Sequence, residues 1–155
     1  DSGESLYRRS LYTFWRRSLG PPNMFDEADR KLCSVRMRRT NTPLHALTLL
    51  NDITYIEAAR VFAESLLQTD MDDQQRLAKA FRMMTGRHAT DVEKEILANS
   101  LQVAKEHYGS NIEAASQLLE TGDRAPAEGL DAVEVASLAS VLNVVMNADE
   151  VISKE

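Results

Sequence analysis

Chemistry in this 155-residue chain would have to come from a small set of polar residues. Arg36, Arg38, Arg39, Thr40 and Asn41 lead into a helix start, and Asn51 and Asp52 follow one short helix later. Arginines beside free backbone amides suit an anion: the guanidinium fork offers paired donors, and the first amides of a helix add a positive dipole end. These seven residues are the candidate polar or anion site. They also have a structural account. Thr40, Asn41 and Thr42 can shape the turn, Asn51 and Asp52 can form a helix junction, and the arginines can clamp carboxylates or C-terminal carbonyls. No catalytic residue follows from either account, and whether the chain is part of an enzyme stays open.

The other reactive side chains are scattered. His45, His88 and His107 fall on separate predicted elements, none pairing with another ligand at i+3 or i+4 in the usual zinc pattern, so no metal site is expected. Cys33 stands alone, which rules out an internal disulfide and a Cys-x-x-Cys-His haem attachment; a lone cysteine reads as a small buried hydrophobe. Neither a Gly-x-Ser-x-Gly elbow nor a Gly-rich phosphate loop occurs. Tyr7, Arg8, Arg9, Tyr12, Phe14, Trp15, Arg16 and Arg17 interleave rings with cations, a pattern that can stack on bases. The net charge of −6 favours rings in the core and arginines on carboxylates instead, so nucleic acid is not an expected partner.

Helices must position these residues. From Pro43 onward the apolar spacing is helical. Thr42-Pro43 gives an N-cap followed by proline at the first helical position, opening a helix over 43–50. Asn51 or Asp52 caps a second over 53–68, with Ile56, Ala59, Ala63 and Leu66 on one face. A third spans 71–85 and stops at Gly86. Thr90-Asp-Val-Glu93 is a capping box for a fourth helix, which Gly109 should end near Tyr108. Ser110-Asn-Ile-Glu113 reads as a second box, for a fifth helix reaching Gly122. The last helix, 130–147, is apolar all round, the mark of a central core element. The expectation is an all-α, compact bundle of about five to six helices (43–155) with an irregular basic N-terminal arm (1–42).

Charge divides the same way. Residues 1–40 hold nine basic against five acidic side chains, about +4, and the remainder nine against nineteen, about −10. Such asymmetry predicts that the arm packs on an acidic surface. The longest uncharged run, 135–148, is too short and polar to span a bilayer, so no membrane span is expected. Six glycines and four prolines argue against a loop-rich β sandwich. The start at Asp1 without an initiator Met reads as a fragment or processed product.

LYRRSLYTFWRRS, PPNMFDEADRKLC and RTNTPLHALTLLND, in that order, resemble the planctomycete cytochrome-C-associated family of unknown function; FRMMTGRHAT and VLNVVMNADE resemble its closing helices. The resemblance implies the C-terminal part of a large multidomain protein that is extracytoplasmic, periplasmic or at the cell surface. It implies no cofactor in this segment, with a c-type haem in another domain of the parent, and upstream domains of the same polypeptide as partners. The family carries no established activity, so no site residue is transferred from it. His45 stands where the family commonly has Gln, and Ile53 where a proline is frequent; both bear on local structure. The functional expectation is a non-catalytic interaction or scaffolding module. The alternative is the non-haem part of an enzyme acting on polysaccharide, with Arg36–Asn41 and Asn51–Asp52 lining its site.

Overall fold

The computed structural model describes residues 43–152 of the chain. The chain divides into two compact units, Asp1–Leu49 and Leu50–Glu155. Of the first, the described part belongs to helix α1 (Pro43–Asn51), where Thr48 returns its hydroxyl to the Leu44 carbonyl at 2.9 Å. The second unit holds α2 (Ile53–Leu67), α3 (Asp73–Thr85), α4 (Asp91–Ser110), α5 (Ile112–Leu119), α6 (Ala132–Met146) and α7 (Asp149–Ile152). There is no strand among the described residues, and the all-α bundle expected from the sequence is what forms. The basic arm, residues 1–42, lies outside the described residues, and so does the Thr42 cap.

Short polar side chains set most helix starts. Asp52 Oδ1 accepts from the Thr54 amide at 2.9 Å and begins α2. Asp72 and Gln75 form a reciprocal capping box on α3, a pair the sequence reading passes over by starting that helix at Met71. Thr90 and Glu93 form the expected box on α4. Asp131 caps α6 through the Glu134 amide at 3.0 Å. At the other end of α3, Gly86 sits at φ 80°, the left-handed position that only glycine adopts without strain, and closes the helix onto the Arg82 carbonyl.

The end of α4 and both ends of α5 differ from expectation, and the Ser110–Glu113 box does not form the cap of α5. Gly109 does not stop α4, which continues through it to Ser110. Glycine permits a left-handed turn without imposing one, and inside a helix it costs only about 1 kcal/mol against Ala. Ser110 therefore ends α4, its hydroxyl donating back to the His107 carbonyl at 2.8 Å, and Asn111 caps α5 through the Ala114 amide at 3.2 Å. Helix α5 then ends at Leu119, short of Gly122.

Helix α6 is the axis of the second unit. It packs most extensively on α2, then on α4 and α5, with lesser contacts to α3 and α7. Val135, Ala136, Ser137, Leu138, Ala139, Val141, Leu142 and Val145 are all buried, so the helix is covered on nearly every side. Small residues make this possible: Ala136 and Ala139 on α6, Ala59 and Ala63 on α2 and Ala115 on α5 let the backbones approach closely. Larger groups fill the remaining layers, with Leu66, Leu77, Leu101, Leu138 and Leu142 in one cluster. Phe81, Ala89 and Val145 form a second, smaller cluster. The one polar member of the buried stretch, Ser137, satisfies its hydroxyl on the Val133 carbonyl at 2.6 Å. Leu142→Ala should cost about 2–5 kcal/mol through lost burial and a residual cavity. Thermal unfolding followed by circular dichroism should show a clear fall in Tm; a Tm equal to the parent's would mean that α6 is not the core.

Candidate functional site

Of the seven residues singled out in the sequence, Arg36, Arg38, Arg39, Thr40 and Asn41 lie outside the described residues. Asn51 is the last residue of α1, and Asp52 is the N-cap of α2. The Asp52 carboxylate serves the Thr54 amide, and its carbonyl accepts from the amides of Tyr55 and Ile56, both at 3.1 Å. Asn51 and Asp52 are thus a helix junction. No group of three His, Cys, Asp or Glu side chains converges in metal-ligand fashion among the described residues.

The strongest polar constellation is one that the sequence reading does not single out. Arg60 on α2 has 0% of its surface exposed. Its Nη1 donates to Glu64 Oε1 at 2.6 Å and its Nη2 to the Arg124 carbonyl at 2.5 Å, while Glu57 Oε1 lies 3.9 Å from Nη2. Glu57 Oε1 accepts in turn from the Arg124 amide at 2.7 Å. The backbone of residue 124, in the α5–α6 connection, is therefore held at both its N–H and its C=O by α2 side chains. Gly122 completes the latch. At φ 99° it lies so close that a Cβ there would fall 2.5 Å from Glu57 Cδ. Glu57, Arg60 and Glu64 are spaced for one helix face, which was legible; that the face is buried was not. Apart from Arg60 Nε, the groups of this constellation bind one another, so its chemistry is structural.

Two further ion-pair groups hold the outer helices. Arg87, in the α3–α4 connection, grips Glu93 through Nη1 (2.9 Å) and Nη2 (2.5 Å), and Glu150 of α7 through Nε (2.8 Å) and Nη2 (2.5 Å). Its guanidinium carbon stands 4.9 Å from the Phe81 ring centroid. Lys105 of α4 reaches Asp73 of α3 at 2.7 Å and Glu134 of α6 at 3.0 Å. The Lys105 hydrogen bond holds the Asp73 carboxyl below the usual carboxylate range.

An open groove of about 420 Å³ lies between α2, α4, α5 and α6. Ile56, Ala59, Leu118 and Ala139 give it apolar walls, with Tyr108 and Asn143 among its polar members. Hydroxyl bookkeeping fixes its character. Ser140 Oγ donates to the Ala136 carbonyl at 2.9 Å, so in the 2.9 Å Tyr108–Ser140 contact the tyrosine must be the donor. Asn143 spends an amide hydrogen on the Leu50 carbonyl at 3.1 Å. Tyr108 still presents acceptor capacity to the groove, and Asn143 its Oδ1 acceptor and a second amide hydrogen. Its lining holds the hydroxyls of Tyr108, Thr121 and Ser140 but no His, Asp, Glu, Lys or Cys side chain. Such a surface can bury an apolar side chain against its walls while its polar atoms exchange hydrogen bonds with the backbone that carries that side chain.

A family model described as "PSD1: Protein of unknown function (DUF1553)" matches residues 1–101 of the chain. No curated protein and no solved structure matches it. The matched stretch reaches Leu101 in α4, so the latch residues on α2 fall inside it, and the connection that they hold falls outside.

Two outcomes test these roles. Gly122→Ala should destabilise the fold by about 1–3 kcal/mol, from the left-handed backbone and the collision with Glu57, read as a lower midpoint in urea unfolding; an unchanged midpoint would show that the latch is loose. The second concerns acid. Glu93 is lowered from 4.5 to about 2, first by the Arg87 hydrogen bond and then by the Thr90 amide and hydroxyl. A depressed carboxyl stabilises the fold above its unfolded value and loses that contribution as pH falls through the folded one. Stability should therefore decline from about pH 4.5 towards about 2, and Glu93→Gln should flatten that decline. An identical slope in the variant, from urea midpoints across this range, would remove Glu93 as its cause.

Proposed function

This chain belongs to that family of unknown function, and on that premise we propose that it is a non-catalytic interaction module of a larger multidomain protein. The observation that carries the reading is the groove between α2, α4, α5 and α6: apolar walls, hydrogen-bonding atoms and no carboxylate, imidazole or amine in its lining. The ion pairs around it brace the helices and leave the groove as a binding surface on a rigid body. Its occupant in this reading is an apolar segment from the upstream domains of the same polypeptide. Resemblance to the planctomycete cytochrome-associated proteins supports that context, with an extracytoplasmic setting and a c-type haem carried by another domain. The polysaccharide-enzyme alternative has no comparable support, because the Asp52 carboxylate is engaged in capping α2.

The test is association in trans between this chain and the separately expressed upstream region of its parent, measured by calorimetry. Binding should occur, and Ile56→Glu should weaken it by about tenfold or more, because it places a charge against an apolar wall. Tyr108→Phe should weaken it less, since the tyrosine proton points at Ser140. Absence of binding, or binding indifferent to Ile56→Glu, would overturn the reading.

A further inference from the structure

Residues 74–90 contain four Lys and Arg side chains and one His without a single acid, inside a body of about −10. Two of those cations are spent: Arg76 turns to Asp73, and Arg87 to Glu93 and Glu150. Lys79 and Arg82 meet no carboxylate among the described residues. They stand i and i+3 on α3, hence side by side. With Ala78, Met83 and His88 they line an open groove of about 470 Å³. Met83 is 63% exposed, so its side chain is open to contact beside the two cations. The helix dipole explains part of this, since Arg82 lies in the last turn of α3 where a cation is favoured. A dipole acts on charge alone, however. It leaves the guanidinium donors open and accounts for neither Lys79 nor the bare thioether.

We propose that this groove binds an acidic peptide segment of a partner protein. Its carboxylates pair with Lys79 and Arg82, the latter able to take one bidentately, and an apolar side chain lies over Met83 and Ala78. The flexible, polarisable methionine adapts to varied apolar partners. Charge complementarity selects a peptide over a longer polyanion. A nucleic acid or sulfated polysaccharide needs a track of cations and would carry its remaining charge past a body of net negative sign. A segment with a few carboxylates and an apolar residue meets both halves of the groove and little of that repulsion. The site shares no residue with the groove between α2, α4, α5 and α6 and does not rest on its function.

The probe is a short peptide of repeated Glu-Glu-Leu, titrated into the whole chain with amide NMR shifts as readout. Shifts should concentrate at residues 78–88. The double variant Lys79→Gln, Arg82→Gln should weaken binding by about tenfold, and Met83→Ser by about threefold. Ile56→Glu should leave it unaltered, which separates this site from the other groove. All three positions face solvent, so unchanged unfolding midpoints will show that the variants fold. Shifts spread elsewhere, or an affinity unmoved by the double variant, would overturn the proposal. So would a heparin fragment that binds as tightly as the peptide and ignores Met83→Ser, since the site would then be a polyanion surface.

Discussion

A guanidinium with no path to water must have its hydrogens and its charge answered inside the protein, and much of the second unit follows from where Arg60 finds those answers. Desolvating an ion costs several kcal/mol, and a cation left alone at that depth would not be tolerated. Helix α2 supplies two carboxylates by itself, Glu57 one turn before and Glu64 one turn after. A helix cannot supply the third partner. That comes from the Arg124 carbonyl, which brings the α5–α6 connection back onto α2. Glu57 then binds the amide of the same residue, and Gly122 makes room for it. The backbone that leads into α6 is thereby fixed by charges lying on α2. The cluster is not free of strain, because Arg60 Nε is buried without a hydrogen-bond partner.

This latch works with the packing around α6. The Ala59 and Ala63 face of α2 lies in the same core cluster as Ala139 and Leu142 of α6. Apolar burial is non-directional and would tolerate α6 sliding along that face. The Arg124 contacts remove that freedom, because hydrogen bonds to a charged group demand particular distances. At the periphery Arg87 and Lys105 act more weakly. Both are partly exposed, and ion pairs in contact with water contribute little each. Their effect is to tie α3, α4 and α7 to one another and α4 to α6.

Much of the helical frame was legible because helix ends obey local rules. Thr90 and Glu93 specify a start within four residues, and Gly86 specifies a stop. The apolar composition of 132–146 announces a central helix. Asp72 and Gln75 carried the same capping signal, obscured by the neighbouring aspartates Asp70 and Asp73. The misplaced junction at Gly109 and Ser110 has a different origin. Glycine and serine both permit a helix end, and whether the permission is used depends on what the following turn packs against. Of the candidate site, Asn51 and Asp52 were legible as a junction. The two grooves were not, since each is lined by side chains far apart in sequence or by the exposed side of a helix whose buried side drew the reading.

By itself the sequence determined the fold class, most helix boundaries, the division of charge along the chain and membership of a family of unknown function, all of which depend on residues within a few positions of one another or on composition. Tertiary structure alone decided that Glu57, Arg60 and Glu64 form a buried latch. By spacing alone they are an ordinary i, i+3, i+7 charged stripe, the pattern of a solvated helix face. What converts the stripe to a core element is the return of residues 122–124 from more than fifty positions away. Desolvation depends on every neighbour in space, and no local pattern encodes it.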